Sequence, residues 1–434
     1  MQNIKAILQS NLFKITSLNS LSIVLKIAVG FITSKFIALF VGPAGMALVG
    51  NFRNFLSSTQ AVATLGFETG IVKYVAEYKN NQDYLKKIIA TITIFLLGFS
   101  ILISAVIFFC ADFLNLQIFG LSHQYSFVFK ALSAALPFYV CSLFLIAIIN
   151  GLGCFKKVIF INCIGYIIGL FISILIIYYL KTEGALLAII ITPSLLFFVS
   201  LYYINNEIAI LRYIKFSFFD ASILKKFSSY SVMIFVSSII GPLVLLAIRN
   251  NFIEKIGINE AGFWEAISRI SSYYMLFITT ILSLYFLPKL SESKSVQATN
   301  QLFWKYFKTI LPLFGFGLII VYFIRFYIIS ILLTKEFLPT EKLFFYQLLG
   351  DFLRAASYVL AFQFYAKKMT TAFVISELLS LGVLYFSSIY FVAHFGFQGI
   401  VMSHCTTYLV YLAGLLLYFR KEVFGFKGSK SVNQ

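Results

Sequence analysis

From Ile15 to Val41 the chain runs 27 residues with charge only at Lys26 and Lys35, and comparable apolar stretches recur as far as residue 419. Crossing the hydrocarbon core of a bilayer takes about 20 apolar residues of helix. Inside that core every backbone N–H and C=O must bond within the protein. The repetition of such stretches therefore predicts an all-α polytopic membrane protein. Composition agrees, with 12% of the 434 residues charged and 60% hydrophobic, against about 25% charged in a soluble globular domain. A soluble enzyme, a disordered tail and a secreted domain are excluded.

Spans are expected at 15–41, 44–72, 88–111, 124–150, 158–180 and 184–204, then at 227–250, 261–287, 308–332, 342–366, 370–393 and 397–419. That makes about twelve transmembrane helices in two six-helix lobes around a central cationic cavity. The N-terminal lobe covers 1–204 and the C-terminal lobe 227–420. Between them, 205–226 mixes Arg212, Lys215, Lys225 and Lys226 with Phe216, Phe218 and Phe219, the composition of a basic amphipathic linker lying in the interface. Residues 421–434 form a tail. The first run is too long for a signal-peptide core and is followed by Gly42 and Pro43, so it is expected to stay in the mature protein. Arg325 makes the ninth span the least regular, since it can end that helix early.

Lysine and arginine concentrate on the cytoplasmic side of membrane proteins. The connectors on one side hold 22 of them, and those on the other hold only Lys181, Lys255, Lys335 and Lys342. The split puts both termini in the cytoplasm, as an even number of spans requires. It also assigns most of the +18 net charge to topology and anionic lipid, with no nucleic acid as partner.

The other eight cations, Lys26, Lys35, Arg53, Lys130, Arg249, Arg269, Arg325 and Arg354, fall in or at the rim of spans with the acids Glu68, Glu265, Asp351 and Glu377. Each charge at the bilayer centre costs about 2.5–3.5 kcal/mol on insertion scales, so these groups are expected to face protein or a water-filled cavity. Arg53, Ser57, Gln60, Thr64 and Glu68 recur at steps of four and three and predict one polar stripe on the second span. Glu265, Arg269, Ser272 and Tyr273 repeat it on the eighth, and Gln347, Asp351, Arg354 and Tyr358 on the tenth. Lys35, Arg53 and Lys130 precede Arg249, Arg269 and Arg354 by 214, 216 and 224 residues, which suggests a two-fold ring of positive charge. Two readings stay open for Glu265 with Arg269 and Asp351 with Arg354: ligand or ion-coupling groups, or mutual neutralisation within the bundle. Asp351, Glu265 and Glu377 are the candidates for ion coupling.

Catalytic signatures are missing. There is no phosphate-binding loop of the G-x-x-x-x-G-K-[ST] type, His123, His394 and His404 lack metal-ligand spacing, and the acids on the short outer connectors form no convincing pair. The five cysteines read as small apolar packing residues without a disulfide or metal framework. No catalytic residue, metal or cofactor is expected. Pro137, Pro193, Pro242 and Pro312 fall inside spans and predict kinks, with Gly241–Pro242 the best place for a broken helix.

The segments VGPAGMALVGNFRNF (Val41–Phe55), GFETGIVKYVAEYKNN (Gly66–Asn81), AIRNNFIEKIGINEAGFWEAISRISSYY (Ala247–Tyr274), YFLPKLSE (Tyr285–Glu292) and QLLGDFLRAASYVLA (Gln347–Ala361) closely resemble the Wzx-type flippases of lipid-linked oligosaccharides, over nearly the whole chain. That resemblance implies the multidrug/oligosaccharidyl-lipid/polysaccharide exporter superfamily, with alternating access and no enzymatic activity. It implies a bacterial inner-membrane protein that carries an undecaprenyl-diphosphate-linked glycan, such as an O-antigen or lipid III unit. Arg53, Arg249, Arg269 and Arg354, with Lys26, would hold the diphosphate, and Gln60, Tyr273 and Tyr358 would line the cavity. Expected partners are membrane lipids and the polymerase and chain-length machinery of a glycan pathway, with the chain a monomer. The alternatives are a multidrug antiporter of the same superfamily, which should have an acid-dominated cavity, and a membrane polysaccharide polymerase or ligase.

Overall fold

In the computed structural model, residues 11–120, 124–225 and 236–425 are described. Lys226, most of the start of the seventh span, most of the C-terminal tail and His123 lie outside them. All secondary structure among the described residues is helical, as a chain threading hydrocarbon requires. The chain divides into two compact units, residues 1–243 and 244–434.

The helices are α1 (Asn11–Phe40), α2 (Gly42–Thr64), α3 (Glu68–Tyr78), α4 (Gln82–Phe109), α5 (Ala111–Phe119), α6 (Ser126–Gly151), α7 (Phe155–Asn205), α8 (Ile210–Tyr213), α9 (Gly241–Lys255), α10 (Ile258–Ile281), α11 (Leu287–Glu292), α12 (Val296–Lys305), α13 (Leu311–Phe323), α14 (Arg325–Leu332), α15 (Phe344–Ala366), α16 (Thr370–Phe395), α17 (Gly399–Tyr418) and α18 (Arg420–Phe424). Among the described residues, seven stretches have the length and apolarity to cross a membrane. Two of them, of 51 and 49 residues, would each reach about 75 Å if straight, against a core of about 30 Å. Each is two spans folded back on itself, which raises seven to nine. The polar-striped α2 and α15, of 23 residues each, make eleven, and the stretch ending in α9 makes the twelfth.

Both fold-backs use the same device. In α7 the chain reverses at Lys181, with φ 48° and ψ −117°, and between α16 and α17 at Gly396, with φ 56° and ψ −132°. Three residues later a glycine presses on a carbonyl eight residues back: Gly184 on Ile176 and Gly399 on Phe391, where an added Cβ would come within 2.2 Å of the oxygen. Positive φ also recurs at Gly42 and Gly257, and at Gly153 and Lys368. Beside the last pair, Cys154 N donates to Ile149 O and Met369 N to Phe364 O. Every one of these pairs is separated by 215 residues. The chain therefore carries internal repeats in a 215-residue register. The register corrects the charge pairing expected from sequence: Lys35, Arg53 and Lys130 correspond to Asn250, Ser268 and Phe345. A one-residue slip is about 100° around a helix and a nine-residue slip about half a turn, so the positive charges do not repeat as a two-fold ring.

Within the first unit, Gly165 and Gly169 of α7 lie against Leu196 and Thr192, so close that an added Cβ would come within 2.3 and 2.2 Å of their side chains. The small-x-x-x-small pattern thus seats the two arms of α7 on each other.

Among the described residues three π-helical turns interrupt the spans, at Val236–Ile240, Leu282–Phe286 and Tyr306–Ile310, and each is followed two residues later by proline: Pro242, Pro288 and Pro312. Proline lacks an N–H and its ring crowds the carbonyl four residues back, and a π turn re-registers the ladder there. The helix containing Pro137 runs on through it. The ninth span is divided at Ile324 (φ −94°, ψ 9°) into α13 and α14, and Arg325 bonds Glu341 at 2.8 Å. Residues 205–225, expected as the basic amphipathic linker, hold short pieces, among them α8 and a 3-10 turn at Phe216–Phe218.

Candidate functional site

The stripe on α2 stops earlier than its spacing suggests. Leu65 (φ 50°) and Gly66 (φ 66°) close the helix after Thr64, and Glu68 opens α3. The turn nonetheless returns Glu68 to the same place, because Ser57, Gln60, Thr64, Glu68 and Ser238 line one cavity of about 280 Å³ in the first unit. Tyr139 of α6 donates to Gln60 Oε1 at 2.5 Å. That bond holds the Gln60 side chain at the cavity wall it shares with Glu68. Arg53 lies one turn before Ser57, half-buried and outside the cavity lining. Lys26 is exposed on α1, also away from that lining.

In the second unit the charges expected on four separate spans form three clusters. Arg249 on α9 and Arg269 on α10 converge on Glu265: Arg249 Nη2 donates to Oε2 at 2.7 Å, and Arg269 Nε lies 3.4 Å from Oε1. All three are buried, with Arg249 3% exposed, and the Arg249 guanidinium also lies 4.8 Å from the Trp264 ring centre. Neutralisation within α10 is therefore only part of the arrangement, since Glu265 is shared with a second helix. Arg249 keeps two further donors, Nε and Nη1, buried and without a hydrogen-bond partner among the described residues. Leaving guanidinium donors dry and unbonded costs roughly 1–3 kcal/mol each, a cost an arriving anion relieves.

Asp351 on α15 is fully buried and accepts from three helices. Its Oδ2 takes Ser271 Oγ at 2.7 Å, Gln347 Nε2 at 3.1 Å and the Tyr274 hydroxyl, while Oδ1 meets His404 Nε2 at 3.0 Å. His404 reaches it because Gly350 leaves room: an added Cβ there would stand 2.4 Å from His404 Cδ2 and 3.1 Å from the Cys405 Cα. The direct partner of Asp351 is thus His404, with Arg354 turned elsewhere. Arg354 Nε donates to Tyr358 Oη at 2.6 Å, and the guanidinium lies over the Tyr358 and Tyr408 rings at 5.2 and 5.5 Å. Glu377 on α16 is half-buried within electrostatic reach of Arg354.

Sequence reasoning missed His404, Tyr274 and Ser271. The aromatic on Asp351 is Tyr274, and its neighbour Tyr273 is half-buried on α10. His404 sits among apolar residues without a ligand pattern, and the signal that could have found it was Gly350 immediately before Asp351. In the 215-residue register Asp351, His404 and Glu377 correspond to Leu136, Ile189 and Asn162. The acids and the histidine are therefore a specialisation of one repeat, and Gln60 and Glu68, which correspond to Met275 and Ser283, of the other. No group of three or more His, Cys, Asp or Glu residues forms a metal site among the described residues.

Comparisons with known proteins agree with this layout. A family described as "Polysaccharide biosynthesis protein" matches residues 12–294. The lipid III flippases of Escherichia coli (strain K12) and Shigella flexneri are each 27% identical over 410 residues, 92% of this chain and 97% of theirs. Among solved structures, an inward-facing multidrug resistance MATE transporter of the MOP superfamily superposes with TM-score 0.80 at 13% identity, covering 93% of this chain and 96% of that one. The lipid II flippase MurJ in an inward closed conformation gives 0.70 at 15%, covering 95% and 90%.

Proposed function

Because the chain belongs to the polysaccharide biosynthesis protein family, we propose that it is a flippase that moves an undecaprenyl-diphosphate-linked oligosaccharide across the membrane by alternating access. The observation that carries the reading is Arg249. Two buried guanidiniums share the Glu265 carboxylate, and two Arg249 donors stay open. Guanidinium forks match phosphate oxygens in planar, bidentate geometry, so the diphosphate is the group this cluster is built to take. Arg354, braced on Tyr358 and Tyr408, supplies a further cation, and Arg53 and Lys26 act on the approaching head group. Gln60 and its cavity offer hydroxyl, amide and carboxyl groups to the glycan.

The 22 to 4 split of lysine and arginine supports the bacterial inner membrane with both termini in the cytoplasm. The chain acts as a transporter without catalysis and as a monomer, handing its product to the polymerase and chain-length machinery of the pathway. Asp351 with His404 is the candidate for proton coupling, with Glu265 and Glu377 behind it. Eight intramembrane cations against four acids disfavour a cation-exporting drug antiporter, although such transporters share the fold.

Binding tests the reading. Purified protein should hold undecaprenyl diphosphate at least tenfold more tightly than undecaprenol, and Arg249→Gln should remove most of that preference. Equal affinity for the charged and uncharged lipids would defeat it.

A further inference from the structure

Two antiparallel helices of the second unit, α10–α11 and α12–α13, are joined by the turn at 293–295, where the Ser295 hydroxyl caps α12 by accepting from Ala298 N at 3.1 Å. Across this hairpin the two π turns meet at their ends. Phe286 packs edge-on against Tyr306 at 5.3 Å, and the Tyr306 hydroxyl is anchored to Ala355 O at 2.9 Å. That fixed pairing places the neighbouring Tyr285 opposite Lys305. Lys289 and Lys305 then both donate to the Tyr285 phenol oxygen, at 2.9 and 2.7 Å, so their ammonium groups lie within 5.6 Å of each other. Both lysines are exposed.

Phenol is not a counter-ion. Lys289, Lys305 and the adjacent Lys308 form no ion pair with a carboxylate among the described residues, and Lys308 instead lies 5.4 Å from the Trp304 ring centre. Trp304 is pinned by its indole N–H to Val423 O at 2.9 Å and stays 40% exposed. Next to Tyr285 in the chain, Leu284 is 57% exposed. The surface thus sets ammonium donors against apolar side chains at the end of two membrane spans, with the tryptophan typical of the headgroup level.

We propose that Lys289, Lys305 and Tyr285, flanked by Lys308 and Trp304, form a binding site for the phosphate headgroup of an anionic phospholipid. A phosphate bridging the two ammoniums removes their mutual repulsion, Tyr285 holds them at the right separation, and Leu284 and Trp304 receive the acyl chain. The exposed apolar flank favours a lipid over free phosphate. The site is separate from Arg249, Glu265 and Arg269, and it depends on the topology above only for naming the leaflet as cytoplasmic.

The test needs no translocation, so it stands apart from the flippase reading. Purified protein in neutral detergent receives dioleoylphosphatidylglycerol, dioleoylphosphatidylcholine or inorganic phosphate, with lipid retention read by native mass spectrometry and protection by the thermal unfolding midpoint. Wild type should retain phosphatidylglycerol at least tenfold better than phosphatidylcholine. In Lys289→Gln/Lys305→Gln the two lipids should become equal, while Lys335→Gln/Lys342→Gln, on connectors of the opposite side, should behave as wild type. Tyr285→Phe, which keeps the ring and loses the shared oxygen, should fall between. An unchanged phosphatidylglycerol preference in the Lys289/Lys305 variant would overturn the site, and protection by inorganic phosphate equal to that by phosphatidylglycerol would overturn its assignment to lipid.

Discussion

Replacing Asp351 by leucine, the residue its repeat carries at position 136, tests whether the buried network is as tightly coupled as its geometry implies. The carboxylate accepts Ser271, Tyr274 and Gln347 on one oxygen and His404 on the other, at zero exposure. Hydrogen bonds to a charged group contribute about 1.5–3 kcal/mol each, but four such bonds on one group do not add. Breaking a buried pair by removing one partner costs roughly 3–5 kcal/mol, whereas replacing both partners by well-packed apolar groups is often near neutral. Asp351→Leu alone should therefore destabilise by about 3–5 kcal/mol. His404→Ile alone should cost less, because the His404 side chain is 18% exposed and water relieves part of the loss. The double variant should be less damaged than the sum by about 1.5–3 kcal/mol. Reversible unfolding in mixed micelles, followed by tryptophan fluorescence, measures all three. Additive effects within about 0.5 kcal/mol would refute the coupling and, with it, the case for Asp351–His404 as one functional unit.

Four other outcomes follow. Lys181→Gly, which supplies the glycine that the equivalent turn has at Gly396, should stabilise by about 1 kcal/mol in the same unfolding assay by relieving a left-handed backbone. Gly165→Val should destabilise by about 1–3 kcal/mol, because its Cβ would meet Leu196 Cδ2 at 2.3 Å, and thermal unfolding reads it directly. Tyr139→Phe should leave folding nearly intact yet free the Gln60 amide, weakening glycan-dependent binding by several-fold while affinity for undecaprenyl diphosphate alone holds. Outside the spans, Lys157 bonds Glu207 at 2.5 Å and holds its carboxyl below the ordinary 4.5. Its stabilising contribution is complete above that ordinary value and lost as pH falls through the lowered one, so Glu207→Gln should flatten the acid limb of a stability–pH profile.

Most of the fold is legible in the sequence because hydrocarbon leaves so few choices: long apolar runs become helices, and positive charge punctuates them. The breaks are less legible. Leu65 carries no sequence sign of a left-handed turn, so α2 reads as continuing through Glu68. The reversal at Lys181 within the 51 residues of α7 falls between the spans expected at 158–180 and 184–204, so there a charge marked the break that no glycine announced. At the site, helical spacing finds which residues share a face on one helix, and it finds Glu265 with Arg269. It cannot say which helices are neighbours. Arg249 joining Glu265 and His404 joining Asp351 both depend on packing between helices, the second on the missing side chain of Gly350. The 215-residue register was nearly visible in the charge separations of 214 and 216, yet a slip of one residue is enough to move a side chain off a face. Backbone turns, which carry no charge, preserve the register.

The central claim is translocation, and leaflet exchange measures it most directly. The protein is placed in liposomes with a fluorescent undecaprenyl-diphosphate-linked oligosaccharide, and protection from an external dithionite quencher is followed over time for wild type, Arg249→Gln and a mock-reconstituted control. Time-dependent exchange in wild type that falls at least tenfold with Arg249→Gln is the predicted result. Exchange no faster than in the protein-free control, under proton and sodium gradients of either sign, would contradict the account.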